Sequence, residues 1–442
     1  MPRVLLLLPT TTYKTPDFLA AAGKLRIDVT VGSEEPSTFE GKNPEGLLTL
    51  EFRDPEACAR RALEFAAKTP IGAVVGVDED TAVVAAVISR ALGLPHNPVY
   101  AAVAARHKKT MRGLLAEAAV PSPAYRVFDR VDDPREAARR VRFPCVLKPT
   151  FLAASRGVIR ADDREEFVSA WRRIEKILDD PEVAAKGNVR TALAADRVPS
   201  PAREILVEDF VPGREVALEG LLREGELKVL ALFDKPDPLE GPYFEETIYV
   251  TPSRLPEEAQ ERVARAASRG ALALWLREGP VHAELRVNEA GPWLIEIAAR
   301  SIGGLCSRTL RFGTGMSLEE LILRHALRME MPEPEREGRA AGVMMIPIPR
   351  GGVLEEVRGL PEARAVPDIE DVTISARLGQ RLMPLPGGSR YLGFIFSRAA
   401  TPESAEAALR EAHGRLEFVV SSREGADPSL PSELALSRKL IP

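Results

Sequence analysis

Four short runs in the first hundred residues leave almost no polar face for solvent: "RVLLLLP" (3–9), "IDVTVG" (27–32), "GLLTLEF" (46–52) and "AVVGVD" (73–78). A strand apolar on both sides has to be covered on both sides, which a half-exposed antiparallel sheet cannot provide. Between these runs lie three helical patterns, "TPDFLAAAGKL", "DPEACARRALEFAAK" and "DEDTAVVAAVISRALGL", with Thr15, Asp54 and Asp78 or Asp80 as N-caps. The alternation predicts a doubly wound α/β unit on a parallel sheet. Ligands of such sheets sit beyond the carboxyl ends of the strands. The loops Pro9 to Lys14 and Gly76 to Asp80 belong there, although ordinary helix capping accounts for them equally well.

The chain has 442 residues, enough for about three domains. After the first unit, "HNPVYAAVAARHKKTMRGLLAEAAV" reads as one long helix closed by "VPSP". "FPCVLKPT" (143–150) reads as a strand and "REEFVSAWRRIEKIL" as a helix. Residues 179–203 lack a firm apolar period and are expected to be mobile. "EILVEDFVPGREVALEGLLREGELKVLALFDK" alternates as three antiparallel strands, with turns at Pro212-Gly213 and Glu224-Gly225. "SLEELILRHALRM" is an amphipathic helix. Beyond the linker "EMPEPEREGRA" lie strand-like "AGVMMIPIP", "LGFIFSRA" and "LEFVVS" and the helix "TPESAEAALREAHGRL", a small α+β appendix.

Composition narrows the function. Hydrophobic residues make up 45% and charged residues 28%, with a formal net charge of -5 and no Lys/Arg block, which argues against nucleic acid as a partner. "REAARRVRF" is a solvated helix face. Three cysteines (Cys58, Cys145, Cys306) match no zinc spacing, and their odd number argues against a disulfide framework. They are expected as buried thiols in a reducing compartment. The apolar run of "MPRVLLLLP" is only five residues, too short for a leader, and no stretch approaches the ~20 apolar residues of a membrane span. The expected location is the cytoplasm, with no membrane partner.

The chemistry concentrates in "VHAELRVNEAGPWLIEIAAR" (281–300), where Glu284 and Glu296 interrupt two apolar runs, His282 stands in front and Arg300 behind. With "NEAGP" as the turn, both acids can share one sheet face. Adjacent carboxylates repel unless a cation lies between them, and Mg²⁺ takes one or two carboxylates plus phosphates. Two outward, solvated residues are the ordinary alternative. Upstream, Lys148 ends an apolar strand before Pro149, a poor place for solvent and a good one for an anion. "AASRGVIR", with Ser155 and Gly157, forms a turn whose amides can cover phosphates. Glu208, Asp209 and Val211 lie on a strand edge able to pair an adenine rim, and Glu215 follows the turn as an acceptor for ribose hydroxyls.

The order and spacing of these pieces resemble the ATP-grasp superfamily, and more closely the carboxylate–amine ligases of the L-amino acid ligase type. The resemblance spans Asp78 to His325 and rests on "HKKTMR…VPSP", "FPCVLKPTFLAASRGV", "ILVEDFVPGREVALEG" and "HAELRVNEAGPWLIEIAARSIGG". It implies an α/β and α+β architecture: an N-terminal α/β domain (1–107), an ATP-grasp clamp in two parts (108–204 and 205–333), and a C-terminal α+β domain (334–442). It also implies roles. Lys108 and Lys148 would contact the nucleotide, Glu208 and Val211 would hold adenine, and Glu215 the ribose. Glu284 and Glu296 would bind Mg²⁺, with Mn²⁺ as a substitute, and Arg300 would steady the transferred phosphoryl group or the substrate carboxylate. Lys235 is a further phosphate or substrate contact or an ordinary surface lysine. His282 is a base or a packed strand histidine held by a neighbour.

Two departures stand out. The lid "FLAASRG" is poorer in glycine than in many relatives, and Ala298 occupies a position where many carry a third metal ligand, Asn. The implied reaction activates a carboxylate with ATP and passes it to an amine, amino acids being the expected substrates and a homodimer the expected assembly. The alternatives are activation of bicarbonate, as in biotin carboxylases, and a nucleotide-binding protein without turnover.

Overall fold

The computed structural model describes residues 2–10, 12–37, 40–181, 183–184 and 201–421. The first unit follows the apolar runs. Strands β1 (Arg3–Leu7), β2 (Asp28–Ser33), β3 (Leu47–Thr49) and β4 (Ala73–Gly76) form a parallel sheet in the order β3-β2-β1-β4. Helices α1 (Thr15–Leu25) and α2 (Pro55–Ala66) run between them, and α3 (Glu79–Ala91) follows β4. The run from Val4 to Leu7 is apolar on both faces because both faces are covered: Val4 and Leu6 join one core, Leu5 and Leu7 another. Asp54 caps α2 by accepting from the Ala57 amide at 2.8 Å, and Asp78 stands at the N-cap of α3. The cap of α1 is Lys14, not Thr15; Thr15 and Pro16 form its first turn, where proline's missing N–H costs nothing.

The expected long helix is broken. Helix α4 (Val99–Arg106) ends at His107, whose backbone is extended (φ -106°, ψ 103°), and α5 (Lys108–Glu117) starts afresh. The reason is tertiary. The Lys108 amide, which a continuous helix would have used internally, donates to Thr150 O at 2.8 Å. The break places Lys108 at the first turn of α5, facing the end of the next sheet.

That sheet is built from β5 (Tyr125–Asp129), β6 (Cys145–Pro149), β7 (Ile159–Ala161) and β8 (Glu204–Asp209), in the order β5-β8-β6-β7. Helices α6 (Pro134–Ala138) and α7 (Arg164–Leu178) pack on it through Phe167, Trp171 and Ile174. Most of the segment expected to be mobile, 185–200, lies outside the described residues. β8 pairs with β5 and β6, not with β9 (Arg214–Arg223), so Pro212-Gly213 carries the chain between two sheets and is not a hairpin turn. The turn at Glu224-Gly225 does join β9 to β10 (Glu226–Asp234), with both residues at positive φ (55° and 94°).

The second sheet is larger than the sequence suggests. β9, β10, β11 (Ile248–Thr251), β12 (Gly279–Asn288) and β13 (Gly291–Ala298) are joined by three strands from beyond residue 334. Helix α8 (Glu257–Ala273) covers β13, the short pair β14 (Arg311–Phe312) and β15 (Met316–Ser317) follows, and α9 (Leu318–Ala326) closes this part. Next come β16 (Ala340–Ile346), β17 (Gly352–Arg358), α10 (Leu360–Arg364), β18 (Ile369–Ile374), β19 (Arg381–Leu382), β20 (Gly393–Ala399), α11 (Pro402–Gly414) and β21 (Glu417–Ser421). The sheet runs β13-β12-β9-β10-β11-β16-β20-β18. β16 pairs along the whole of β11, so the C-terminal strands cover an edge that would otherwise expose unpaired amides and carbonyls. The C-terminal part is therefore an extension of the grasp sheet, with only β17, β19 and β21 in a sheet apart.

Candidate active site

The two sheets and the first domain enclose a cavity of ≈ 380 Å³. Its floor is the β12–β13 hairpin. From Asn288 opposite Gly291 the pairing runs regularly to Leu285 opposite Leu294; a bulge then slips it by one, so Glu284 faces Glu296. Without that extra residue, Glu284 would stand opposite Ile295 and Glu296 would point away from the cavity. The bulge is what puts both acids on one wall.

On the side of the smaller sheet, Glu208 is fully buried between two cations, with Lys148 Nζ at 2.6 Å and Arg112 Nε at 2.7 Å. Burial pushes the Glu208 carboxyl up, but the two cations outweigh it and hold it below the usual carboxylate range. Burial also pulls the Lys148 ammonium below its usual pKa, against the pull of Glu208. Arg112 reaches on to Ile295 O at 2.5 Å, tying this sheet to the floor hairpin. Lys108 Nζ donates to Leu152 O at 2.8 Å and lies 3.2 Å from Glu296. Its neighbour Lys109 points elsewhere, to Glu204 at 2.5 Å.

At the centre, Lys235 Nζ sits among Glu246 (2.5 Å), Glu215 (2.8 Å) and Glu284 (3.1 Å). Burial works against its charge, but the three carboxylates win and hold the ammonium well above its ordinary pKa. Lys235 is thus a buried cation, not a surface lysine. The same three acids can bring one oxygen each within 4.8 Å of the others, a hard donor set suited to a divalent cation. Burial and the Glu284 charge push Glu246 up to about 7; burial also works against the Glu284 charge, but Lys235 and His282 hold that carboxyl well below the usual range. His282 hydrogen-bonds Glu219 through Nδ1 and lies 3.4 Å from Glu284 through Nε2. Burial disfavours its charge, but Glu219 outweighs that and lifts it to about 9. A charged ring with both nitrogens engaged has no lone pair for a proton, so the geometry fits the packed histidine and not the base.

On the side of the first domain, Arg300 Nε meets Glu79, the first residue of α3, at 2.8 Å. Burial opposes its charge, and Glu79 and Glu296 more than restore it. Lys14 is buried beside it, donating to Val77 O at 2.9 Å and Ser301 Oγ at 3.2 Å, with Asp78 at 3.6 Å. The lid runs through Ala154 (φ 55°), Ser155 (φ 54°) and Gly157 (φ 75°), and the Gly157 amide donates to Pro386 O at 3.0 Å.

Against this geometry, three family models match the chain: an ATP-grasp domain over residues 141–309, an ATP-grasp N-terminal domain over 19–96, and L-amino acid ligase C-terminal domain 2 over 344–421. The chain belongs to the ATP-grasp ligases. An L-amino acid ligase structure from Bacillus licheniformis is similar at a TM-score of 0.79 and 26% identity, covering 96% of this chain and 99% of that one. The alanine–anticapsin ligase of Bacillus subtilis is 31% identical over 52% of this chain and 49% of its own length. Carnosine synthase 1 of Gallus gallus is 29% identical over 77% of this chain and 38% of its own length. The chain spans about half or less of the length of these two curated relatives.

For an ATP-grasp ligase, the sequence-expected residues are gathered well: Lys108, Lys148, Ser155, Glu208, Asp209, Val211, Glu215, His282, Glu284, Glu296 and Arg300 all line the one cavity. Lys235 is buried against Glu215, Glu246 and Glu284. Gly157, at the end of the lid, faces the sheet, and a Cβ there would lie 3.0 Å from the Pro149 ring. Asp209 turns its carboxylate out to Arg142. Sequence reasoning missed Glu246, Glu219, Arg112 and the role of Lys14. Among the described residues no helix is long and apolar enough to cross a membrane. The three thiols are free and buried.

Proposed function

We propose that this ATP-grasp ligase joins a carboxylate to an amine through an acyl phosphate, releasing ADP and phosphate. One observation carries the reading. The bulged hairpin sets Glu284 opposite Glu296 on the wall of a cavity that also gathers Lys108, Lys148 and Arg300, with Lys235 buried against Glu284. A binding protein would need the cations but not a floor acid pair facing them. The alanine–anticapsin ligase and the L-amino acid ligase among its relatives support amino acids as the substrate class.

In this reading adenine lies along Glu208 to Val211, Glu215 takes the ribose, and Lys108 and Lys148 face the phosphates. Mg²⁺ would be held by Glu284 with Glu296 and would supply charge neutralisation for the phosphate oxygens. A substrate carboxylate oxygen forms a bond to the γ-phosphorus as the bond to the β-phosphate oxygen breaks and ADP leaves. An amine nitrogen then bonds the acyl carbon, phosphate departs, and the nitrogen loses a proton. Little covalent work falls to the protein; positioning and charge dominate. Arg300 neutralises the phosphoryl oxygens, Lys235 moves off its carboxylates to do the same, and His282 fixes the Glu284 carboxylate. The lid excludes water while the acyl phosphate exists.

The test is ADP release with Mg-ATP across pairs of amino acids, with bicarbonate as a separate arm and Glu296→Ala as control. Release that needs two amino acids and disappears in the variant supports the ligase. Release with bicarbonate alone transfers the chain to carboxylase-type chemistry. ATP binding without release in any arm leaves a nucleotide-binding protein.

A further inference from the structure

We infer that the C-terminal part of the chain selects the substrate: Met345 of β16 and Tyr391 of the loop before β20, with Tyr249 and Cys306, form a recess for a large apolar or aromatic side chain on the carboxylate being activated. The inference rests on the ligase reading and deepens it. All four residues line the cavity. Tyr249 on β11, Met345 on β16 and Cys306 in the helical turn Cys306–Thr309 are buried at 2%, 4% and 1% exposure, so their surfaces are fixed by packing and not by mobile tips. Met345 lies opposite Phe394 in the β16–β20 pairing. Phe394 in turn backs the loop tyrosine, with ring centroids 6.3 Å apart, and meets Tyr13 of the first domain edge-on at 5.6 Å. Three parts of the chain therefore converge on one apolar end.

Its position assigns the occupant. Lys235 Nζ lies 5.0 Å from the Tyr249 ring centroid and 3.1 Å from Glu284, so the recess opens beside the acids at which the phosphoryl group would be transferred. A side chain there belongs to the carboxylate substrate, whose α-carbon is one bond from the reacting carboxyl, and not to the later amine. Gly304 lines the same cavity and has no room for a side chain. Its φ is +57°, and an added Cβ would lie 2.8 Å from Phe394 Cε1. The polar exception, Glu246, is already held by Lys235 at 2.5 Å. A thioether, a thiol and two tyrosine rings suit an apolar or aromatic side chain, and the methionine and thiol adapt to its shape.

The experiment uses the full chain and two readouts. In the first, kcat/KM is compared for L-phenylalanine and L-alanine as carboxylate substrate with the second amino acid held constant. Met345→Trp, which fills the recess, lowers the phenylalanine-to-alanine ratio by about tenfold or more, the scale on which a pocket discriminates one or two methylenes. Tyr391→Phe leaves that ratio near the parent's. In the second, L-phenylalanine raises the melting temperature without turnover, and both Met345→Trp and Tyr391→Ala reduce that shift. Equal losses for phenylalanine and alanine in the variants would overturn the recess. So would a wild-type protein that L-phenylalanine neither stabilises nor enters as substrate. If no amino-acid pair releases ADP, the ligase reading fails by itself, and the melting shift still decides whether the recess binds.

Discussion

The half of the cavity proposed to hold the nucleotide and the half proposed to hold the substrate are built on different plans. Lys108, Lys148, Glu208 and the floor acids stand on regular strands or a helix start, each charge already met by a named partner: Lys148 and Arg112 by Glu208, Lys108 by Glu296. The substrate half adds to the strand residues Tyr249 and Met345 the ends and loops of three regions: Lys14 before α1, Glu79 at the start of α3, Ser301 after β13, and Tyr391 before β20. A common ligand can be met by regular backbone with local sequence signatures. A ligand that differs between relatives is met by loops, which can change without disturbing the sheets.

The largest effect expected from breaking this arrangement comes from the floor. Glu284→Ala removes the acid shared by Lys235 and His282, and ADP release should fall about 10³-fold, the scale of losing a principal electrostatic contact. Circular dichroism should show the fold retained. A variant with near-parental turnover would remove the floor from the chemistry and leave the resemblance as one of fold.

Next, Glu208→Ala should separate the halves by stability. It strands Lys148 and Arg112, both buried, without their shared carboxylate. Removing one partner of a buried pair costs about 3–5 kcal/mol, read as a lowered urea midpoint. Glu79→Ala leaves Arg300 with its bond to Ser301 O and the nearby Glu296, and its stability cost should be clearly smaller than that of Glu208→Ala. Equal losses would contradict the view that the nucleotide half leans more heavily on its buried charge pairs than the substrate half does on Arg300 and Glu79. His282→Asn should cost about 10–100-fold in turnover, as expected for a residue that orients a metal-binding acid, through a weaker Mg²⁺ dependence and not through loss of a basic limb in the pH profile.

The same contrast explains what could be read from the sequence. The parallel sheet was legible because Val4 to Leu7 must be covered on both faces, and the floor acids because each interrupts an apolar strand. Glu246 was not. "FEETIYV" offers two adjacent acids, and which one faces inward depends on the pairing of β11 with β16, whose partner lies nearly a hundred residues away. Lys14 looked like any loop lysine because its partners, Val77 O and Ser301, are distant in sequence. The break at His107 was hidden for a similar reason. Residues on both sides favour a helix, and only the Lys108 bond to Thr150 O overrides them. β8 alternates like its successors, and alternation does not say which sheet a strand joins.

The smallest effect concerns the lid, which covers the nucleotide side but touches the C-terminal loop. Ala154 and Ser155 hold φ near +55° although neither is glycine. A left-handed conformation costs an alanine roughly 1–2 kcal/mol, which Ala154→Gly relieves, while glycine's freer unfolded chain takes back about 0.5–1 kcal/mol. The stability change should therefore lie between about zero and 1.5 kcal/mol in favour of the variant. The gain in freedom falls on the open lid, which must give it up on closing, so the KM for ATP should rise by a few-fold more than kcat falls. A variant that leaves both constants alone would show that the Gly157 amide on Pro386 O fixes the lid by itself, with the strained pair upstream carrying no part in closure.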